Sequence, residues 1–215
     1  MPRQAKAATP VEEVAATIEI DRIAAETIAV PIIGTSPLIV HRWSEKAKRQ
    51  MLDAMQGRKT PKESKNPEAE YEASIYRLKD GTPGFPTLAF KDATVGGARF
   101  YGKDVSMTAL KQFLFFRGEP GNDGKLLARI EGECTMREDP VRIGKGADMR
   151  YRGEFLEWRA VLEVTYVTSA LTRGSVLSLI DAGGMGVGVG EWRPEKNGGN
   201  GTYRVDPTRE VEVLS

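Results

Sequence analysis

Short segments in which apolar and polar residues alternate recur along the chain, and this two-residue period predicts β-strands. The clearest are TIAVPII from Thr27, KLLARIEGE from Lys125 and WRAVLEVTYV from Trp158. The segment SPLIVHRW extends the first of these after a turn at Gly34. Shorter segments of the same kind are TIEID at 17–21, ASIYRL at 73–78, TYRV at 202–205 and REVEVL at 209–214.

Apolar residues spaced three or four apart predict helices between these strands. The predicted helices are 44–56 with a stop at Gly57, a helix that starts at Pro86, 106–116, and 172–183 with Thr172 as its cap. Gly96 and Gly97 stand inside the second helix, where each costs about 1 kcal/mol relative to alanine. We therefore expect a sheet, a neighbouring subunit or a ligand to lie close to the backbone there.

The remaining segments are polar or rich in proline and glycine, which indicates loops. Residues 1–15 are predicted to be a flexible N-terminal arm. GRKTPKESKNPEAE at 57–70 is predicted to be an exposed loop, and the segment 137–157 a long hairpin or projecting loop. At 215 residues, the chain is expected to hold one domain over 16–215, with insertions at about 42–70 and 137–157.

Composition excludes several classes of protein. Hydrophobic residues make up 40% of the chain and charged residues 28%, and no apolar run reaches the length of a membrane span. Cys134 is the only cysteine, which excludes an internal disulfide and favours a cytoplasmic location. His41, the only histidine, is expected to be a structural residue at a strand end.

Neither a metal nor a cofactor is expected, because no group of ligands has the spacing of a metal site. The aspartates that lie near glycines, and are expected to have surface or capping roles, are Asp92, Asp139, Asp148 and Asp181. The net charge of +1 conceals an uneven distribution. Between Arg42 and Lys65 there are eight basic residues against three acidic ones, and such a local excess can bind phosphates.

A glycine-rich segment near the C-terminus, DAGGMGVGVGEWRPEKNGGNGTYRV at 181–205, follows the last predicted helix. It lacks the strand–glycine–helix order of a dinucleotide fingerprint and the terminal Lys-Ser or Lys-Thr of a phosphate-binding P-loop. Glycine lets peptide N–H groups approach a phosphate or a sugar, Trp192 offers a face for a base, and Arg193 offers a charge. The structural alternative is a tight crossing over the sheet with Trp192 as a core residue.

Two segments, GFPTLAFKDATVGGAR at 84–99 and LIDAGGMGVGVGEWRPEKNGGNGTYRV at 179–205, resemble the RAMP superfamily. The likeness is to the backbone subunits that coat the guide RNA in CRISPR effector complexes. It implies an α+β protein with a ferredoxin-like, RRM-like β-α-β-β-α-β core, a glycine-rich C-terminal loop and projecting insertions. It also implies a single-stranded nucleic acid, RNA favoured, running over the sheet and loops.

The expected function is sequence-tolerant binding of single-stranded nucleic acid by a protein that assembles with copies of itself in a filament or ring, with other effector subunits as further partners. Basic residues that follow the backbone and aromatic rings that stack on bases are the expected contacts. They are Arg42, Trp43, Lys46, Arg49, Lys59, Lys62, Lys91, Arg99, Arg142, Lys145, Arg150, Tyr151, Arg152, Gly184, Gly186, Gly188, Gly190, Trp192 and Arg193.

Three other functions stay open at this point. One is a virus-encoded single-stranded DNA-binding or recombination protein, and another is a structural assembly protein that binds no nucleic acid. The third is an RNA-cleaving nuclease of the RAMP type. A single histidine and the lack of a paired-carboxylate motif favour binding over catalysis, and no catalytic residue is assigned.

Overall fold

A computed structural model describes residues 19–58, 64–143 and 146–215, without the side chains of Lys46, Ala47 and Ile143. Its helices are α1 (Glu45–Met55), α2 (Pro67–Ser74), α3 (Thr87–Gly97), α4 (Met107–Phe113) and α5 (Arg173–Gly186). Its strands are β1 (Ala25–Gly34), β2 (Leu38–Val40), β3 (Tyr76–Arg77), β4 (Pro83–Pro86), β5 (Leu114–Phe116), β6 (Glu119–Pro120), β7 (Leu126–Glu131), β8 (Cys134–Ile143), β9 (Gly146–Phe155), β10 (Arg159–Val167), β11 (Tyr203–Val205) and β12 (Glu212–Val213). The predicted arm at 1–15 lies outside the described residues.

The larger sheet has the strand order β11-β1-β10-β7-β4-β3, and every pair in it is antiparallel. Strand β12 pairs with β1, β5 with β10, and β6 with β7. Its centre is the long pair β1–β10, whose register runs from Ala25 opposite Val167 to Ile33 opposite Arg159. Both strands had been predicted from their alternating pattern.

Helices α3 and α5 connect the main strands of this sheet. Along the chain, α3 lies between β1 and β7, and α5 lies between β10 and β11. Strand, helix, strand, strand, helix and strand therefore follow one another, with four strands side by side in the order β11-β1-β10-β7. The α+β class is confirmed, and the ferredoxin-like assignment stays a prediction that this strand order supports.

The core lies between the sheet and these two helices. On β1, Ile28, Val30 and Ile32 are fully buried, as the two-residue period requires for one face of a strand. Helix α5 contributes Val176, Leu179 and Ile180 from its buried face. Aromatic rings close one end of the core, where Phe90, Trp158 and Tyr203 contact one another with centroid distances of 5.5–6.4 Å. Such contacts add to the stabilisation that burial already provides.

The close approach predicted at Gly96 and Gly97 is made to another helix. A Cβ atom on Gly97 would lie 2.5 Å from the backbone nitrogen of Gly183, and one on Gly183 would lie 2.4 Å from the carbonyl oxygen of Ala93. The expectation of a sheet, subunit or ligand at this place was therefore wrong for Gly97, because α5 fills the space. Gly96 is closed by the side chain of Val187, which its own Cβ would meet at 2.8 Å.

A second, smaller sheet has the order β2-β9-β8, and β8 and β9 form the long hairpin predicted for 137–157. The hairpin begins three residues before the predicted segment and ends two residues before its predicted end, with Cys134 opposite Phe155 at its base. Strand β2 belongs to this sheet and does not extend β1, because the chain bends where the Trp158 indole occupies the space beside Gly34. The Trp158 Nε1–H donates to the Ser36 carbonyl at 2.9 Å and fixes that bend.

Helix α2 packs on the hairpin and corrects the prediction of an exposed loop over 57–70. It begins at Pro67, with the Asn66 side chain accepting from the Ala69 N–H at 3.1 Å. The Tyr71 hydroxyl donates to the Cys134 carbonyl at 2.8 Å, and the Ser74 hydroxyl accepts from the Gly153 N–H at 2.9 Å. The predicted strand ASIYRL is consequently reduced to β3, since its first residues end this helix.

Two further predictions of elements need correction, and a third element lies in its predicted place. The described residues of TIEID, 19–21, form no strand. The helix predicted over 106–116 ends at Phe113, and its last three residues form β5 against β10. Helix α1 lies where it was predicted, but its apolar residues Met51, Leu52 and Met55 are exposed and contribute nothing to the core.

Candidate nucleic-acid interface

The glycine-rich segment is divided between a helix and a loop. Helix α5 continues to Gly186, so the loop starts at Val187 and not at Gly183 as predicted. Gly184 and Gly186 serve helix packing, because Cβ atoms there would lie 2.1 Å from the Tyr203 carbonyl oxygen and 2.3 Å from the Phe100 ring. Of the four glycines proposed as contacts, only Gly188 and Gly190 lie in the loop.

The loop is held tightly by backbone hydrogen bonds. Gly188 and Gly190 have φ values of 68° and 78°, which favour glycine. The Val189 N–H donates to the Gly201 carbonyl and the Glu191 N–H to the Ile39 carbonyl, both at 2.9 Å. The Gly188 N–H likewise donates to the Gly183 carbonyl. All three N–H groups are therefore engaged in hydrogen bonds within the fold. The expectation that they would be available to a phosphate was wrong at these positions.

Trp192 and Arg193 have different surroundings at the outer end of the loop. The Trp192 side chain is 52% exposed, and its φ of 55° is rare for so bulky a residue. The alternative in which Trp192 is a core residue is therefore wrong. The Arg193 guanidinium donates to the Gly190 carbonyl at 3.1 Å and to the Glu195 carboxylate at 2.8 Å. Its charge is thus neutralised locally, although it stays on the surface.

Strand β9 places three of the predicted contact residues, Arg150, Tyr151 and Arg152, on alternating faces of the hairpin. Tyr151 pairs across the ladder with Glu138, whereas Arg150 pairs with Asp139 on the other face. Arg152 shares the face of Arg150 but is buried, with 2% of its side chain exposed. Arg150 and Arg152 therefore lie on the face opposite Tyr151, because successive side chains of a strand alternate.

Arg152 is the buried anchor of this face. Its Nη1 donates to the Asp139 carboxylate at 3.1 Å, and its Nη2 lies 3.8 Å from an oxygen of Glu191. Its Nε has no hydrogen-bond partner among the described residues. A buried guanidinium is tolerated only when nearby carboxylates compensate its charge. Through Asp139 and Glu191, Arg152 links the hairpin to the glycine loop.

Glu191 joins three segments that are far apart in the sequence. Its carboxylate lies 3.8 Å from the Nδ1 of His41 as well as 3.8 Å from Arg152. Burial lowers the pKa of His41 below its usual range, the nearby charge of Arg152 lowers it further, and Glu191 opposes this shift. His41 is therefore neutral at neutral pH. The end of β2, the hairpin and the glycine loop all meet at this carboxylate.

A cleft of about 220 Å³ opens beside this meeting point. Its floor is apolar and its rim carries both acidic and basic groups. The floor consists of Tyr76, Phe85, Ala89, Ala93, Val187 and Val189, with Gly188 and Gly190 beside them. The rim consists of His41, Asp92, Glu191, Arg193 and Glu195. Charge on the rim is mainly negative, which was not expected for a nucleic-acid-binding surface.

The basic segment 42–65 is only partly described. Arg42 is half-buried and donates from Nε to the Ala73 carbonyl at 3.1 Å, while Trp43 is 53% exposed. Arg49 is exposed on α1. Lys65 forms an ion pair with Asp148 and donates to the Met149 carbonyl, so it fastens this segment to the hairpin. Lys59, Lys62 and the side chain of Lys46 lie outside the described residues.

The remaining predicted contacts are scattered over the surface. Arg99 is exposed in the 3₁₀ turn Ala98–Tyr101 that follows α3, beside the exposed ring of Phe100. Lys91 donates to the Lys111 carbonyl at 2.9 Å and lies 5.5 Å from the Phe115 ring centroid. Arg142 is exposed near the tip of the hairpin, and Lys145 lies outside the described residues.

Several groups at the cleft were not predicted as contacts. Asp92 was expected to have a surface or capping role, and His41 a structural one. Glu191 and Glu195 flank the predicted Trp192 and Arg193, and that proximity was the only signal in the sequence for them. Tyr76 and Phe85 reach the cleft through the pairing of β3 with β4, which local periodicity does not reveal. No three acidic, cysteine or histidine side chains converge as a metal site within the described part of the chain.

The fold and the cleft define an α+β domain with a projecting hairpin and a glycine-rich loop that is held to the fold by backbone hydrogen bonds. No protein-family model and no curated protein matches the sequence. The chain is similar to the solved structure of Cmr6 from Pyrococcus furiosus, with a TM-score of 0.40, 10% identity, and coverage of 86% of this chain and 100% of that one.

A second similar structure is the Type III-B Cmr-beta complex bound to cognate target RNA, with a TM-score of 0.42 and 10% identity. The match covers 89% of this chain and 61% of that one. At this level of similarity, the function must be argued from the chain's own residues. No helix in the described ranges is long and apolar enough to traverse a bilayer.

Proposed function

We propose that the chain binds single-stranded nucleic acid largely without regard to sequence, with RNA favoured, and assembles with further copies of itself along the strand. The observation that carries this proposal is the convergence at Glu191. There, the Glu191 carboxylate lies 3.8 Å from His41, two residues before Trp43, and 3.8 Å from Arg152 of the hairpin, and both His41 and Glu191 line the cleft. Segments predicted separately as contacts are thereby brought to one region.

Exposed aromatic rings on the surface of the chain meet a second requirement of single-strand binding. Trp43, Trp192 and Phe100 each have more than half of the side chain exposed. Single-strand-binding proteins use such rings as platforms on which bases stack, whatever the base. Cations to follow the phosphates lie next to two of them, Arg42 beside Trp43 and Arg99 beside Phe100. The preference for RNA rests on the resemblance in the sequence.

Assembly with other subunits is supported by the apolar side of α1. Met51, Leu52 and Met55 are exposed on this helix although their spacing is that of a packed face. A second copy of the chain, or another subunit of an effector complex, would bury them. The single-domain organisation over 16–215 and the cytoplasmic location belong to the same proposal.

Fluorescence anisotropy with labelled 20-nucleotide RNA and DNA strands, single and double, tests the binding. We expect saturable binding of single strands at low salt and a fall in affinity with salt, with a slope of about 0.7 per phosphate contact. Size-exclusion chromatography with light scattering should show that more copies bind as the strand lengthens. Flat titrations with both single strands at low salt would overturn the proposal.

RNA cleavage is the second candidate, and the pair His41–Glu191 favours it. A neutral histidine at the mouth of a cleft, 3.8 Å from a carboxylate, has the composition of a general acid–base pair. Incubation of end-labelled RNA with and without Mg²⁺ separates cleavage from binding. Cleavage that His41→Gln abolishes would establish this function, and intact RNA after prolonged incubation would remove it.

A further inference from the structure

The cleft beside the glycine loop has the size and lining of a site for one ring system. Its volume of about 220 Å³ lies below the roughly 300–1,000 Å³ of pockets for drug-sized molecules. Ala89 and Ala93 from α3 and Val187 and Val189 from the loop supply an apolar floor. Phe85 adds an aromatic edge and is packed against Tyr76 with ring centroids 5.7 Å apart. A flat, partly apolar ligand fits the lining of this cleft better than an ion does.

The rim of the cleft has more hydrogen-bond acceptors, the carboxylates of Asp92, Glu191 and Glu195, than charged donors. Glu195 is used by Arg193, and Glu191 is shared between His41 and Arg152. Asp92 is exposed on α3 and has no hydrogen bond or ion pair with the described part of the chain. It stands one residue before Ala93 and three after Ala89, and it therefore lies at the edge of the apolar floor. An accessible carboxylate here repels a phosphate and attracts N–H donors.

We infer that the cleft binds one unpaired guanine base of the bound strand, with Asp92 accepting from its Watson–Crick edge. This inference rests on the proposed function. Guanine presents N1–H and N2–H side by side, and a single carboxylate accepts from both. Uracil presents one N–H between two carbonyl oxygens, which a carboxylate repels. Cytosine and adenine present an amino group beside an unprotonated ring nitrogen, and so donate to it only once.

One guanine site in each copy is compatible with sequence-tolerant binding elsewhere along the strand. The stacking platforms Trp43, Trp192 and Phe100 accept any base. The cleft then selects the position on the strand at which a subunit sits, since a wrong base that covers the Asp92 carboxylate without donating to it costs affinity. The result is a preferred register along the strand and not a recognition sequence.

Binding of two single-stranded RNA 12-mers, all uridine or uridine with one central guanosine, tests the inference by fluorescence anisotropy. We expect the strand with guanosine to bind about tenfold more tightly, as one carboxylate–guanine pair with two hydrogen bonds requires. Equal affinity of the two strands would overturn the guanine site while leaving the proposed function standing. Failure of both strands to bind would overturn both.

Two pairs of variants locate the preference in the cleft. Asp92→Asn should remove the preference for guanosine, measured as the ratio of the affinities for the two strands, whereas Asp104→Asn, at another exposed aspartate, should leave that ratio as it is. Ala89→Phe should fill the cleft and also remove the preference for guanosine. Leu88→Phe, at the exposed neighbouring residue, should leave the preference in place. Thermal unfolding followed by circular dichroism checks that each variant folds. A preference that survives in both Asp92→Asn and Ala89→Phe contradicts the assignment.

Discussion

Gly97 and Gly183 bring two helices so close that neither position can carry a side chain. A Cβ atom on Gly97 would lie 2.5 Å from the Gly183 nitrogen, and the reciprocal substitution would place one 2.4 Å from the Ala93 carbonyl oxygen. Because both obstacles are backbone atoms, no rotamer change relieves the clash. The two helices form the layer that covers the sheet, so this contact supports the whole core.

Gly183→Ala should lower the free energy of unfolding by about 1–3 kcal/mol, because the helices must separate. Gly174→Ala in the same helix is the matched control, since its Cβ would meet nothing closer than 3.9 Å. That change should be neutral or stabilise by up to about 1 kcal/mol, as alanine favours helix more than glycine does. Urea denaturation followed by circular dichroism measures both. Equal effects of the two substitutions would contradict the packing argument.

Asp139→Asn should destabilise the protein by about 3 kcal/mol, because it removes the closer of the two carboxylates beside the buried Arg152 guanidinium and leaves only Glu191, at 3.8 Å. Glu119→Gln provides the comparison, since Glu119 pairs with Arg129 in an exposed position where ion pairs contribute little. The measurement is the urea midpoint at neutral pH. If Asp139→Asn and Glu119→Gln lower the urea midpoint equally, the burial of the Arg152–Asp139 pair does not strengthen it.

Trp192→Ala should weaken binding of single-stranded RNA by about tenfold, the effect of losing one stacking platform. The slope of affinity against salt should stay the same, because no charge is removed. Leu156→Ala removes an equally exposed apolar side chain elsewhere and should leave affinity unchanged. Anisotropy at several salt concentrations gives both quantities. An unchanged affinity in Trp192→Ala would show that the indole does not contact the strand.

Arg99→Gln should reduce the dependence of affinity on salt by about 0.7 in slope, which is the contribution of one phosphate contact on a single strand. Arg129→Gln is the control because Arg129 is exposed but already bound by Asp80 and Glu119. Its loss should leave the slope as it is. The same salt series provides the measurement, and the reverse outcome would place the strand on the open sheet face instead.

Stability should fall as the pH drops below the usual pKa of histidine, because the folded protein holds His41 neutral. Its folded pKa is lowered, so the unfolded chain takes up the proton first and is favoured as the pH falls from the unfolded pKa through the folded one. His41→Gln should lose less thermal stability than the wild type between pH 7.5 and 5. If the melting temperatures of the two proteins fell equally between pH 7.5 and 5, the effect assigned to the burial of His41 would be contradicted.

The strands and helices that could be predicted are those whose own side chains make the pattern. The alternation in β1 and β10 and the cap at Thr172 act over a few residues, and the structure has them as predicted. The end of α5 was misplaced because glycines usually indicate a loop, whereas Gly183 and Gly184 are needed by the neighbouring Ala93 and Tyr203. That requirement comes from residues distant in the sequence.

The candidate site was predicted in part for the same reason. Trp192 is exposed and Gly188 and Gly190 lie in the loop, while their contact with nucleic acid stays a prediction. The burial of Arg152 could not be predicted, because only the ladder of the hairpin and the position of Glu191 decide which face it occupies. The acidic rim likewise assembles Asp92, Glu191 and Glu195 across about a hundred residues of chain.

The backbone at Trp192 carries a cost that glycine would avoid. A φ of 55° at a non-glycine residue raises the energy of the native state by an amount of order 1 kcal/mol. Selection for a more robust fold alone would install glycine there, and the indole would be lost. Retaining tryptophan at this turn means that thermostability and the exposed ring are in competition at this one position.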